Sequence, residues 1–141
     1  MPSAVTTTPP APGAEALAHF ESLLRYETDC ADVHGALAGG GADFVLVDVR
    51  GAAAFRVGRI PGAINIAHAD ITAARLEAWP KDTVFVTYCA GPHCNGAQRG
   101  AIRFAALGRP VKVMVGGLIG WNAEGFRIES DPPIMTRGDG E

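Results

Sequence analysis

Residues 83–107 read TVFVTYCAGPHCNGAQRGAIRFAAL, which is the pattern of a strand, a loop and a helix. Its opening segment, Thr83 to Tyr88, is a short, largely apolar run, which predicts a strand buried on both faces, as in a parallel sheet. A loop follows, and then Gly96 to Leu107 places apolar residues at helical spacing, with Gly108 where a helix is expected to end. A strand that leads through a short loop into a helix is the repeating unit of an α/β fold.

The segments on either side continue the alternation of strands and helices. Strands are predicted at 44–49, within 59–66 after a turn, and at 111–115. A helix is predicted at 14–26, and a second, short helix is predicted to start after an N-cap at 28–29 and to end at the glycines at 39–41. A helical turn is predicted at 52–55, and further helices at 70–79 and around Trp121. This order predicts a single α/β domain with a parallel sheet and helices on both of its faces.

Length and composition restrict the class of protein. The 141 residues suit one domain, and 48% of them are hydrophobic, which is typical of a globular chain. We predict the domain at 14–132, a flexible N-terminal tail at 1–13, where Pro, Thr and Ala are frequent, and a loose C-terminal tail at 133–141.

Charge and hydropathy argue against two kinds of partner. The net charge of −3 provides no overall positive field for nucleic acid. No apolar run approaches the roughly 20 residues of a membrane helix, and the N-terminus does not resemble a secretory signal. The three cysteines are too few for a disulfide scaffold, so we expect a reducing, cytoplasmic location.

Cys89 is the strongest candidate for chemistry, since it directly follows the buried strand. Open α/β sheets bind their ligands at the carboxyl ends of the strands. Backbone N–H groups in the following loop, together with the helix dipole, would favour a thiolate over a thiol. The alternative is that Cys89 is a small core residue, as many free cysteines are.

Three motifs, in order, resemble those of the rhodanese family of sulfurtransferases. The first comprises Val47-Asp48-Val49-Arg50, Phe55 and Gly58 to Ile66; the second is Tyr88-Cys89 with its loop; the third comprises Gly116-Gly117, Gly120-Trp121 and Gly125-Phe126. The resemblance spans residues 29–132. It implies a five-stranded parallel sheet flanked by helices, and a persulfide carried on the cysteine that aligns with Cys89.

The chain departs from the family pattern at three places. Arg59 stands where the family usually has histidine, at a position expected to be structural. Cys94 and Asn95 stand where many members have arginine and serine, and Pro92 brings a residue without N–H into the loop. The missing arginine makes thiosulfate a less suitable donor, because an arginine there would bind its oxygens.

These observations predict the residues of the site. Cys89 is the predicted nucleophile, and Asp48 and Arg50 are predicted to support the site from the end of a neighbouring strand. The residues predicted to surround the sulfur anion with backbone N–H groups are Ala90, Gly91, His93, Cys94, Asn95 and Gly96. No metal and no organic cofactor is expected. The expected partners are a sulfur donor, either thiosulfate or a low-molecular-weight persulfide, and a thiol or cyanide acceptor.

Other functions stay open at this point. The domain could instead be a non-catalytic binding module, or a sulfur or redox sensor that uses Cys89 and Cys94. In the second case Cys94 would be a resolving thiol; otherwise it packs inward and is inert. Phosphatase or arsenate reductase chemistry is disfavoured, because it needs an arginine that closes the loop, and the first arginine after Cys89 is Arg99, inside the helix.

Overall fold

The computed structural model describes residues 1–132. Within them the strands are β1 (Glu27–Thr28), β2 (Phe44–Asp48), β3 (Ile64–Asn65), β4 (Val84–Tyr88) and β5 (Val111–Met114). The helices are α1 (Gly13–Tyr26), α2 (Cys30–Ala38), α3 (Ala52–Val57), α4 (Ala73–Leu76), α5 (Gly96–Ala106) and α6 (Gly117–Ala123), and a 3₁₀ turn covers His68–Asp70.

The five strands form one sheet in the order β1-β5-β4-β2-β3. Every pair of neighbours is parallel, and β4 lies at the centre between β2 and β5. The prediction of a single α/β domain with a five-stranded parallel sheet is confirmed. Because parallel strands end at the same edge of the sheet, the residues after β2, β4 and β5 meet there.

Helices cover both faces of the sheet, so the central strands β2 and β4 bury side chains on both faces. On β4, Phe85 and Cys89 pack in the core beneath α5, while Val86 and Tyr88 pack in the second core, beneath α2 and α6. The period of two along the strand therefore decides that the Cys89 side chain faces α5.

Two elements differ from the sequence prediction. The two-residue edge strand β1 was not predicted, because such a short segment has no readable alternation. The helix predicted at 70–79 is reduced to α4, since Ile71 is extended and buried, and the Thr72 hydroxyl accepts the N–H of Arg75 at 3.2 Å. A threonine that caps a helix from within the predicted span delays its start.

The terminal segments leave the predicted boundaries untested. Helix α1 begins at Gly13, and its apolar residues Leu17, Phe20 and Leu24 are exposed. The predicted C-terminal tail at 133–141 lies outside the described residues. Within residues 1–132, no helix is both long and apolar enough to cross a membrane.

Candidate active site

Cys89 lies at the carboxyl end of the central strand, where its side chain is 5% exposed. A hydrogen bond joins β4 to α5, the helix against which Cys89 packs: the Thr87 hydroxyl donates to the carbonyl of Ala97 at 2.9 Å. Thr87 is fully buried, so this hydrogen bond forms away from solvent. The start of α5 is thereby fixed next to the Cys89 thiol.

Gly96, the first residue of α5, lies directly against the sulfur. A Cβ atom at this position would lie 2.7 Å from the Sγ atom of Cys89, closer than side-chain atoms can approach. Glycine thus allows the helix N-terminus to contact the sulfur, where the helix dipole and the free N–H groups of the first turn favour negative charge.

The loop between β4 and α5 supplies further N–H groups. Cys94 donates its N–H to the carbonyl of Gly91 at 3.1 Å, so this N–H closes a turn within the loop itself. Within residues 1–132, the remaining predicted donors have no protein acceptor; they are the N–H groups of Ala90, Gly91, His93, Asn95 and Gly96. Their binding of a sulfur anion stays a prediction.

The carbonyl groups of the loop are bonded to the start of α6. Leu118 donates its N–H to the carbonyl of Cys89 at 3.0 Å, and Ile119 donates to that of Ala90 at 2.8 Å. This contact needs Gly117, whose φ is +60° and whose Cβ would lie 2.6 Å from the Cys89 oxygen. The peptide planes at Cys89 and Ala90 are thus fixed by residues that lie 29 positions later in the chain. In the sequence this segment is recognisable only through its resemblance to a family motif.

The predicted supporting pair, Asp48 and Arg50, forms a two-pronged ion pair after β2. Arg50 donates from Nε to Oδ1 of Asp48 at 3.0 Å and from Nη2 to Oδ2 at 2.7 Å, and it also bonds the Gly58 carbonyl. Asp48 is fully buried and the Arg50 side chain is 13% exposed. The hydrogen bonds to Asp48 raise the pKa of Arg50, so the guanidinium keeps its charge.

Asn65 and Tyr88 complete the support of this edge. The amide of Asn65 donates to the carbonyls of Asp48 at 3.0 Å and Arg50 at 2.8 Å. The Tyr88 hydroxyl accepts the N–H of Ile60 at 3.1 Å. Burial, and then the charge of Asp48, raise the pKa of Tyr88 well above its ordinary value. Tyr88 therefore acts as a neutral, structural residue.

The other two cysteines occupy different environments. Cys94, whose side chain is otherwise exposed at the loop, is paired with Cys89 as a disulfide, with their Cα atoms 6.5 Å apart. Cys30 is buried under Gly116, and burial raises the pKa of its thiol. Across residues 1–132, no group of three His, Cys, Asp or Glu side chains is placed to hold a metal ion.

Two cavities open on Cys89, one on either side of the loop. The first cavity has a volume of about 240 Å³ and lies between the loop and residues 113–117 at the end of β5. His93 is among the residues that line it. The second, about 440 Å³, lies between the end of β2, residues 67–69 and the start of α5. Arg50, His68 and Arg99 line the second cavity. Sequence reasoning did not assign His68 or Arg99 to the site, because only the packing of α5 on the 67–69 segment brings them there.

Comparisons with known proteins agree with this architecture. A family model described as the rhodanese-like domain matches residues 29–124. The protein BH2092 from Bacillus halodurans has a similar structure, with a TM-score of 0.83 and 35% identity over 92% of each chain. A thiosulfate sulfurtransferase from Pseudomonas aeruginosa gives a TM-score of 0.59 and 25% identity over 82% of this chain and 21% of the other.

One curated relative is named for a different function. The HTH-type transcriptional regulator Rv0324 of Mycobacterium tuberculosis is 38% identical over 93 residues, which are 65% of this chain. The match spans 40% of the regulator's own length.

Proposed function

The chain belongs to the rhodanese-like domain family, and we propose that it is a sulfurtransferase that carries sulfane sulfur as a persulfide on Cys89. The contact between the Cys89 sulfur and Gly96 at the start of α5 is the observation that supports this most directly. A thiol that only filled the core would not need a glycine-lined helix N-terminus against its sulfur.

The reaction consists of two half-reactions on one sulfur atom. The Cys89 thiolate attacks the sulfane sulfur of the donor, forms a new S–S bond and expels sulfite from thiosulfate, or a thiolate from a persulfide. A thiolate or cyanide acceptor then attacks the outer sulfur, and the Cys89 thiolate leaves. Each step exchanges one bond to sulfur for another, so no metal, organic cofactor or separate oxidant is needed.

The loop would stabilise the negative sulfur at both stages. Five N–H groups of the 90–96 segment have no protein acceptor within the described chain. Donors that are already oriented cost little reorganisation when charge develops on the outer sulfur. Pro92 contributes no N–H but restricts the loop backbone.

Intact mass spectrometry tests this proposal. The reduced protein is exposed to thiosulfate and, separately, to a low-molecular-weight persulfide, and a gain of one sulfur atom is expected. Cys89→Ser should lose both this gain and transfer to cyanide while keeping its far-UV circular dichroism; Cys94→Ala is the matched control and should still load. Sulfur transfer by a folded Cys89→Ser variant would falsify the assignment.

A second candidate, sulfur or redox sensing, is favoured by the pairing of Cys94 with Cys89. A Cα separation of 6.5 Å suits a disulfide. The Cys94 thiolate could attack the inner sulfur of the Cys89 persulfide, expel hydrosulfide and leave the disulfide, which a low-molecular-weight thiol would reduce. The named relative is a transcriptional regulator, a setting in which a sulfur-dependent disulfide could act as a signal.

Loading wild type and Cys94→Ala with equal persulfide separates the two candidates. If Cys94 resolves the persulfide, the wild type releases hydrosulfide and forms the disulfide after the donor is removed, while the variant retains its sulfur. Equal decay in both proteins, without a disulfide in wild type, would leave Cys94 a structural residue.

A further inference from the structure

The larger cavity beside Cys89 differs from the smaller one in its charge. Arg50, His68 and Arg99 line the larger cavity, and among residues 1–132 no carboxylate lines it. Among the described residues, the smaller cavity has no arginine in its lining, and His93 is its one basic side chain. An anionic part of a substrate is therefore better matched to the larger cavity.

Arg99 supplies the uncompensated charge of this cavity. The charge of Arg50 is balanced by Asp48 at 2.7 Å, whereas Arg99 makes no ion pair within residues 1–132. Arg99 lies on the first turn of α5, whose first residue, Gly96, contacts the Cys89 sulfur. A guanidinium on this turn can bind a group that is attached to the sulfur donor.

The walls of the cavity are fixed by backbone hydrogen bonds. His68 donates its N–H to the carbonyl of Val49 at 3.1 Å, which joins the 67–69 segment to the end of β2. Asn65 bonds the carbonyl of Arg50 at 2.8 Å on the same side. The cavity is thus formed before any ligand arrives, as small-molecule sites usually are.

The size of the cavity separates the two donors that the fold allows. Its volume of about 440 Å³ lies within the range of about 300–1,000 Å³ that is typical of sites for small organic molecules. A small inorganic anion such as thiosulfate would leave most of this space unused. An organic group several atoms long would instead extend from the sulfur toward Arg99.

We propose that the larger cavity binds a low-molecular-weight organic persulfide that carries a carboxylate, and that Arg99 binds this carboxylate. The inference rests on the proposed function and names its donor class. The Cys89 thiolate attacks the outer sulfur of the R–S–SH donor, the bond between the two donor sulfurs breaks, and its electron pair leaves on RS⁻. The persulfide proton remains with the transferred sulfur, so the products are Cys89–S–SH and a thiolate.

The test compares two probes that differ only in the carboxylate. N-acetylcysteine persulfide and its methyl ester are offered to wild type, Arg99→Gln and Arg103→Gln, and the rate of sulfur gain on Cys89 is followed by mass at several donor concentrations. Arg103 is an exposed arginine one turn further along α5 and does not line the cavity, so it controls for general surface charge.

We expect Arg99→Gln to lower kcat/KM for N-acetylcysteine persulfide about tenfold. Loss of a hydrogen bond between charged groups lowers affinity by at least about tenfold. The loss should appear in KM, since the carboxylate is bound equally before and during the transfer. Wild type should prefer the acid over the ester by a similar factor, Arg99→Gln should not discriminate, and Arg103→Gln should match wild type.

Three results would overturn the inference while leaving the sulfurtransferase proposal intact. They are an equal effect of Arg99→Gln on acid and ester, an equal loss in Arg103→Gln, and loading of wild type by thiosulfate but by neither persulfide. If wild type takes up no sulfur from thiosulfate or from either persulfide, the proposed function itself fails, and the inference fails with it.

Discussion

Replacing Gly96 by alanine should slow sulfur loading through one methyl group. The new Cβ would lie 2.7 Å from the Cys89 sulfur and 3.4 Å from that of Cys94. Since non-bonded heavy atoms normally lie about 3.5–4 Å apart, the Cys89 sulfur or the helix start must move by about 1 Å. A displacement of this size at reacting atoms costs on the order of 10²-fold in rate. Overpacking should also lower the free energy of unfolding by about 1–3 kcal/mol.

Gly100→Ala is the matched control for this change. Its Cβ would lie 2.8 Å from Cγ1 of Val49, on the same helix but against β2 rather than the sulfur. It should lose a comparable amount of stability, reduced by the gain of about 1 kcal/mol in helix propensity, and retain its loading rate. Sulfur gain by quenched-flow mass spectrometry and urea unfolding of the reduced proteins measure the two effects.

A double-mutant cycle with Cys89→Ala separates the contact from other effects of the methyl group. Without the sulfur, the nearest atom of residue 89 to the new methyl group is the Cβ, at 3.5 Å. Most of the loss of stability caused by Gly96→Ala should therefore disappear in the Cys89→Ala background. Wild-type loading by Gly96→Ala, an equal loss of loading in Gly100→Ala, or an undiminished stability cost in the Cys89→Ala background would each refute the reasoning.

Three further results are expected. Iodoacetamide should alkylate Cys89 with a midpoint below the value near pH 8.5 of a free cysteine, in a variant lacking the other two cysteines; a midpoint at or above that value contradicts the role of the loop N–H groups. Asp48→Asn should lower the free energy of unfolding by about 1.5–3 kcal/mol, because Arg50 loses its charged partner. A midpoint of urea unfolding equal to that of wild type would contradict this loss of stability. Burial raises the pKa of Tyr88, so the folded state favours the neutral phenol, and the free energy of unfolding should be constant below about pH 10 and fall above it. Urea unfolding of Tyr88→Phe should show a smaller fall above about pH 10. An equal dependence of the unfolding free energy on pH in both proteins would contradict the assignment.

Much of the fold follows from local sequence. The runs that form β2, β4 and β5 are short and largely apolar, which is the pattern of strands covered on both faces. The position of Cys89 follows in turn, because a residue directly after a central parallel strand must lie at the ligand-binding edge. The sequence shows Gly96 and Gly117 but not why glycine is needed at these positions. The need arises in the fold, because Gly96 contacts the sulfur of Cys89 and Gly117 contacts its carbonyl.

The parts that sequence could not supply depend on tertiary contact. Ile71 is extended and its side chain fills the core beneath α5, so the helix predicted at 70–79 starts late and forms only as α4. Arg99 is exposed on the first turn of α5, as many arginines of surface helices are. Its place beside Cys89 follows only from how the first turn of α5 packs against the 67–69 segment.

The sheet edge around Cys89 and the side chain of Arg99 differ in how the structure holds them. Buried hydrogen bonds fix the edge around Cys89: Thr87 to Ala97, Tyr88 with Ile60, and Asp48 with Arg50. Changing any of these would leave a buried polar group unpaired, at a cost of about 1–3 kcal/mol. Arg99 is exposed and its side chain bonds no protein group that the structure describes, so its replacement should cost little stability. If Cys89 carries sulfur as proposed, replacing Arg99 should change which donor is used without changing the chemistry at Cys89. For this reason the donor is inferred from Arg99 and the cavity rather than from the loop that contains Cys89.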